Sequence, residues 1–326
     1  MTVLITGAGG FLGGHLVKTL LDGVDRGEKV RAVDSRPFSE WKQLHPRADN
    51  MRLDLVTRRA CDVAVQGRDV IYHLAADTGG MEYIASHRAA TMLNAVIDAN
   101  MVQAARDAAV ERFYFASSSC VYPVSRQQSH VPAVLAEDWV WPADPEPGYG
   151  LSKLHTEQLC LFAAQEWGLT VRIGRHQSVY GPKGWMDGGR EKVPGAICRK
   201  IAQAKLAGSH EIGLWGDGTQ ARDFVYVSDA VACILGITAS NYGQPLNLGT
   251  GTATTVAELV AITSEIAGWP VTVRRLDGPA GVEGVQARST DTTLVAAHAA
   301  WKPEVSLRDG MARTWEWVFE QVAARA

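Results

Sequence analysis

A doubly wound α/β fold, with a parallel sheet and a smaller substrate-binding region after it, is what this sequence predicts, on three observations. First, the β-branched apolar run Val3-Leu4-Ile5 passes directly into Thr6-Gly7-Ala8-Gly9-Gly10-Phe11-Leu12-Gly13 and then into a helical pattern at Leu16, Leu20 and Leu21. That order is strand, glycine turn, helix. Glycines at 7, 10 and 13 allow a tight turn, admit a pyrophosphate at the helix N-terminus, and let the helix pack close to the strand. Second, another apolar strand, Val30 to Val33, ends in Asp34, about 20 residues past the loop, where a carboxylate accepts from an adenosine ribose hydroxyl. Third, short apolar strands go on alternating with helical periodicity through the first half, which is the pattern of a Rossmann-type sheet.

In chain order, strands are expected at 2–6, 29–33, 51–53, 69–74, 112–117 and 170–174, with helices near 11–22, 58–66, 88–109 and 150–167. Ligands in such sheets bind beyond the carboxyl ends of the strands. His73-Leu74-Ala75-Ala76-Asp77 ends the fourth strand there, and Ser117 to Cys120 ends the fifth. The second half is broken by Pro182, Gly184 and the Gly188-Gly189 pair, and Trp215-Gly216-Asp217-Gly218 reads as a turn before a strand from Phe224 to Val227. Residues 1–175 are accordingly assigned to dinucleotide binding, with a return segment near 224–249, and 176–326 mainly to substrate. The acid at Asp34 repels a 2′-phosphate and favours NAD over NADP, a preference that Arg36 nearby tempers.

Composition narrows the function. The chain has 326 residues, 46% hydrophobic, with a net charge of -3, which suits a globular enzyme and offers no basic field for nucleic acid. Five cysteines, at 61, 120, 160, 198 and 233, lack C-x-x-C spacing, and the nine histidines lack metal spacing, so neither zinc nor a disulfide framework is expected. The first strand starts at the N-terminus, no signal peptide is readable, and no apolar run is long enough to span a membrane, so a cytoplasmic location is expected.

Tyr149 and Lys153 are four residues apart, on one face of the helix expected at 150–167. A lysine beside a phenol stabilises the phenolate and makes tyrosine a usable base. Upstream, Ser117-Ser118-Ser119-Cys120-Val121-Tyr122-Pro123 puts a thiol among hydroxyls at a strand end. That thiol suggests proton abstraction in addition to hydride transfer, although a cysteine there also reads as a small buried filler. Lys192, in Arg190-Glu191-Lys192, reads equally as part of a solvated charge cluster.

Taken together, TGAGGFLG at 6–13, HLAA at 73–76, SSSCVYP at 117–123, YGLSK at 149–153, RIGRHQSVYGP at 172–182 and WGDGTQARDFVYVSDAV at 215–231 resemble the extended short-chain dehydrogenase/reductases that act on nucleotide sugars. Within that family, AADTGGM at 75–81, Cys120 and GGREKVPGAICRK at 188–200 are most similar to the GDP-mannose 3,5-epimerase group. The resemblance implies tightly bound NAD, held by Gly7, Gly10, Phe11, Leu12, Gly13, Asp34, Asp54, Leu55, Leu74, Ala75 and Ala76 together with Tyr149 and Lys153. It also implies that Tyr149, helped by Lys153 and Ser118, takes the proton of the sugar C4 hydroxyl, and that Cys120 and Lys192 exchange protons at the carbons flanking the resulting ketone. Asp77, Gly79, Gly80, Met81, Ser119 and Gln177 would line the sugar pocket with Lys192, while Arg222 and Arg288 would grip a diphosphate. Gln177 stands where the group tends to carry asparagine, and Ser119-Cys120 stands where dehydratases carry Asp-Glu, which argues against dehydration.

The helices near 88–109 and 150–167 carry apolar stripes that in this family build a homodimer. A 4-epimerase on another NDP-hexose or NDP-heptose, using Tyr149 and NAD alone, is the alternative reading. A net redox enzyme would instead consume added cofactor, and a non-catalytic sensor would have no need of the Ser118, Tyr149 and Lys153 set.

Overall fold

A computed structural model describes residues 1–23, 29–186, 189–277 and 284–326; Gly188, the first residue of the 188–200 run, lies outside them. The first half contains β1 (Thr2–Thr6), α1 (Phe11–Gly23), β2 (Lys29–Asp34), β3 (Asp49–Arg52), α2 (Arg58–Val65) and β4 (Val70–His73). It continues through α3 (Met81–Ser86), α4 (Arg88–Met92), α5 (Asn94–Asp107), β5 (Arg112–Ser118), β6 (Ala133–Leu135), α6 (Tyr149–Trp167) and β7 (Val171–His176). The second half runs β8 (Ser178–Tyr180), α7 (Val193–Leu206), β9 (Glu211–Trp215), β10 (Ala221–Tyr226), α8 (Val227–Ala239), β11 (Leu246–Leu248) and β12 (Ala253–Thr255). It ends with α9 (Val256–Ala267), β13 (Thr272–Leu276), β14 (Arg288–Thr290), α10 (Thr293–Ala299) and α11 (Leu307–Ala323).

Among the described residues, seven parallel strands form one sheet in the order β11-β7-β5-β4-β1-β2-β3. The order reverses direction at β1, between β4 and β2, so the ends of β1 and β4 open a crevice there. Near-continuous apolar runs suit these strands because helices cover both faces. Val3, Ile5, Tyr72 and Tyr114 pack on one face with α1 and α8, while Leu4, Ile71, Phe113 and Phe115 pack on the other with α2, α5 and α6. That alternation is the period of two expected of a strand. β11 reaches this sheet from the second half and pairs with β7, Leu246 opposite Gly174.

The single helix expected at 88–109 is interrupted. Leu93 stands between α4 and α5, its N–H bonded to Ala90 O at 3.1 Å. The cause is Asn94, buried, whose amide donates to Asp77 O at 2.9 Å and accepts from Asp77 N at 2.7 Å. A tertiary tether to the loop after β4 thus overrides local helix propensity. Beneath the β5 end, Glu157 and Arg175, both buried, form a two-pronged pair with Arg175 Nη2 at 2.8 Å from Oε2 and Nε at 3.0 Å from Oε1. It ties α6 to β7 and so fixes the helix that carries Tyr149 and Lys153.

Candidate active site

The glycine turn after β1 is built for close approach. A Cβ on Gly13 would lie 2.3 Å from Gly7 O, and one on Gly7 would lie 3.0 Å from the main chain of Leu74 and Ala75. Phe11 and Leu12 begin α1, whose first-turn amides have no partner within the helix and point their partial positive charge at the crevice. Leu74 N and Ala75 N each donate to Thr6 Oγ1 at 3.1 Å, pinning the chain after β4 against the turn, and half-buried Ala76 follows. These features fit a dinucleotide pyrophosphate.

Asp34 ends β2, 7% exposed, and holds Arg36 by Nε at 2.9 Å, Nη2 at 2.7 Å and the backbone N–H at 3.1 Å. A carboxylate has about four acceptor sites, so room remains for a ribose hydroxyl, but Arg36 offsets the negative charge that the site presents. At the end of β3, Asp54 is exposed and its Oδ1 accepts from Val56 N at 3.1 Å. Leu55 packs into the core and leaves only its main chain at that edge.

Ser118, the last residue of β5, accepts from Cys120 N at 3.2 Å across a single 3₁₀ turn, Ser119–Val121. Gly150 lets α6 start hard against this turn, since a Cβ there would fall 2.2 Å from Cys120 O. Tyr149 is the first residue of α6, and its hydroxyl lies near the Thr78 and Ser118 side chains. Burial pushes the Tyr149 phenol up and Cys120 adds to this, while those hydroxyls pull it back. Lys153 Nζ lies 5.8 Å from the Tyr149 ring centroid and 4.5 Å from that of Phe115, and a cation there favours the phenolate.

Lys192 is the N-cap of α7, where the helix dipole disfavours a cation. It is solvent-accessible as a residue, yet its ammonium sits among protein groups. Burial lowers its pKa, Cys120 opposes the shift and Arg288 adds to it. The segment bearing Lys192 is tied to the loop after β4: Gly80 N donates to Arg190 O at 3.1 Å, and a Cβ on Gly80 would fall 2.3 Å from Glu191 O. Asp77, expected to line the sugar pocket, binds Arg190 Nη1 at 2.7 Å and accepts from Tyr83 OH at 2.9 Å. Gly79 faces Tyr83, 2.8 Å from where its Cβ would be. The glycine pair therefore serves loop-to-loop packing as well.

Arg222 donates to the carbonyls of Ala221, Gln286 and Val285 at 2.8, 2.9 and 2.5 Å, and Arg288, 6% exposed, reaches only Ser119 O and Gln127 Oε1 at 3.4 Å. Neither pairs with a carboxylate among the described residues, and Arg288 Nε is buried without a partner. Burial drives Arg222 down to about 9, with Arg288 adding to the shift. Two adjacent cations without a carboxylate partner among the described residues have the chemistry to hold an anion. Gln177, 2% exposed, leaves both Nε2 and Oε1 unpartnered. A cavity opens beside Arg288, lined by Met81, Arg88, Cys120, Gln127, Glu146 and Arg288.

Residues 3–249 match the NAD dependent epimerase/dehydratase family. The chain belongs to that family. It is 36% identical over 99% of its length, and 82% of the relative's, to GDP-mannose 3,5-epimerase 1 of Oryza sativa subsp. japonica. Among solved structures it superposes on the Thermotoga maritima UDP-glucose 4-epimerase with UDP-glucose at a TM-score of 0.86, with 25% identity, covering 99% of this chain and 100% of that one. MoeE5 in complex with UDP-glucose and NAD gives a TM-score of 0.80 at 30% identity, covering 99% and 100%. The chain is thus an NAD-dependent nucleotide-sugar epimerase, and the parallel sheet expected from the sequence is the fold it shares with these enzymes.

Within this epimerase, sequence reasoning missed Arg88, Gln127 and Glu146, which line the cavity, and the buried set of His73, Asp98 and Thr156 behind Lys153. Their spacings match no motif. His176, in contrast, bonds Tyr114 OH at 2.8 Å, and burial beside Lys192 and Lys153 holds its pKa down to about 3, so it is a neutral, packed imidazole. With Arg288 proposed to hold the diphosphate, Arg288→Ala is expected to raise KM for the sugar nucleotide by about 10- to 100-fold with little change in kcat, since hydrogen bonds to charged groups contribute about 1.5–3 kcal/mol. Steady-state kinetics on the folded variant check this.

Proposed function

We propose that this epimerase inverts GDP-mannose at C3 and C5, and the observation that carries the reading is that Cys120, which lines the cavity, is an electrostatic neighbour of both Lys192 and Tyr149. The glycine turn at Gly7, Gly10 and Gly13 with Asp34 would hold NAD, which would supply a hydride acceptor and donor at C4. Tyr149, with Lys153 and Ser118, takes the C4 hydroxyl proton, so that C4 becomes a ketone. The ketone acidifies the hydrogens at C3 and C5, because the carbanion left by proton loss is an enolate. Cys120 and Lys192 form the acid/base pair, one removing that proton and the other delivering a proton to the opposite face. Arg222 and Arg288 hold the diphosphate, and Gln177, Ser119, Met81 and the Gly79–Gly80 turn border the sugar.

The likeness to the rice enzyme over 99% of the chain supports this choice of substrate. The 0.86 TM-score to a UDP-glucose 4-epimerase favours the second reading, in which Tyr149 alone serves and hydride returns to the other face of C4. Proton NMR of products from GDP-mannose and from UDP-glucose separates the two. Products inverted at C3 or C5 of the mannose support the first, and C4 inversion of either sugar supports the second.

We place the enzyme in the cytoplasm as a homodimer. Leu93 and Val96 on the α5 side are 62% and 44% exposed, and Leu151 and Phe162 on α6 are 46% and 53% exposed, apolar side chains that such an interface would cover. Leu93→Asp is expected to yield monomers in analytical ultracentrifugation, and an unchanged sedimentation coefficient would remove this face from the interface. Among the described residues no helix is long and apolar enough to cross a membrane.

A further inference from the structure

A fully buried carboxylate, Asp98 on α5, stands behind the catalytic pair. One oxygen accepts from His73 Nε2 at 2.9 Å, and the other accepts from Thr156 Oγ1 at 2.9 Å and lies 4.0 Å from Lys153 Nζ. Thr6 Oγ1 already accepts from Leu74 N and Ala75 N, so its own proton goes to His73 Nδ1 at 2.8 Å. His73 is then neutral, with its proton on Nε2 directed at Asp98. No second cation besides Lys153 balances Asp98 within this set, and no base other than Asp98 faces the Lys153 ammonium from α5.

We propose that Asp98 is a positioning residue for catalysis: its carboxylate, oriented by His73 and Thr156, holds the buried Lys153 ammonium charged and in place beside Tyr149. Thr6, at the glycine turn, is the far end of the same chain of hydrogen bonds, so the cofactor loop and the catalytic lysine share one buried brace. Burial alone pushes Lys153 toward the neutral form, and Asp98 opposes it. Burial likewise pushes the Asp98 carboxyl up, but Lys153, His73 and Thr156 outweigh it and hold it ionised. The other titratable groups facing Lys153 are Tyr149, Glu157 and Cys160 on its own helix and the neutral His176 on β7.

The inference rests on the reading of Tyr149 as base and Lys153 as its cationic helper. The test is the pH dependence of reduction of the enzyme's bound NAD by sugar nucleotide, followed by absorbance in a single turnover. Without the counter-charge, Lys153 loses its proton at lower pH, so in Asp98→Asn the alkaline limb should move toward lower pH by about one unit, with a rate loss of ~10-fold at the wild-type optimum and KM changed by less than about twofold. Asp98→Ser, which removes the charge without setting an amide donor against the ammonium, should show the same shift. A rate loss with an unmoved limb in both variants overturns the proposal and leaves Asp98 a packing residue. If neither variant folds, the wild type decides: NMR of selectively labelled lysine should show Lys153 protonated across the pH range of turnover, and deprotonation inside that range overturns the proposal. Tyr149→Phe, run in parallel, separates the premises, since retained NAD reduction there sinks the base assignment whatever Asp98 does.

Discussion

Replacing Cys120 by alanine is expected to abolish proton exchange at C3 and C5 while leaving oxidation at C4 in place. The thiol is half-exposed in the cavity, and Arg288, Glu146 and Met81 line the same space. Tyr149 and Lys153 reach the site from α6, independently of the Cys120 side chain. Loss of a positioned acid/base group costs on the order of 10²–10⁴-fold in the step it serves, so inversion should fall by about that factor. Single-turnover NAD reduction should change by less than about threefold, because no group of the C4 step is removed. Parallel loss of both steps would place Cys120 in the structure of the site rather than in proton transfer, and unchanged inversion would make it the buried filler that cysteines at strand ends often are.

Tyr149→Phe should give the opposite pattern. The phenol lies near Ser118 and Thr78 and beside the Lys153 ammonium. Without its oxygen the C4 hydroxyl has no base, so NAD reduction should drop by on the order of 10³-fold, and C3 and C5 exchange should vanish with it, since no ketone forms to acidify those hydrogens. Binding of the sugar nucleotide should persist within a few-fold, because the Arg222 and Arg288 grip is untouched. Stopped-flow absorbance and isothermal titration on the same preparation check both halves.

What was legible in the sequence was local. The glycine turn at 6–13 and the acid at Asp34 each declare themselves within a strand-turn-helix stretch, because backbone geometry there admits few residue types. Tyr149 and Lys153 are legible for a similar reason, being one helical turn apart. The brace behind them is not. Thr6 and His73 are 67 residues apart and His73 and Asp98 are 25 apart, and each alone reads as an ordinary strand or helix residue. The interruption at Leu93 was equally hidden, since no proline or glycine marks it and its cause is the bond between Asn94 and the Asp77 main chain. The partners of Asp77 were hidden as well: a motif marks it as a pocket residue, and only the fold reveals that Arg190 and Tyr83 bind its carboxylate.

Deuterium incorporation distinguishes enolisation of a 4-keto sugar at C3 or C5 from inversion at C4. Purified protein with its own bound NAD, incubated with GDP-mannose in heavy water without added cofactor, should place deuterium at C3, C5 or both, read by mass spectrometry and proton NMR, and Cys120→Ala should not. Inversion at C4 with no deuterium in the ring would contradict enolisation and assign the chain to 4-epimerisation.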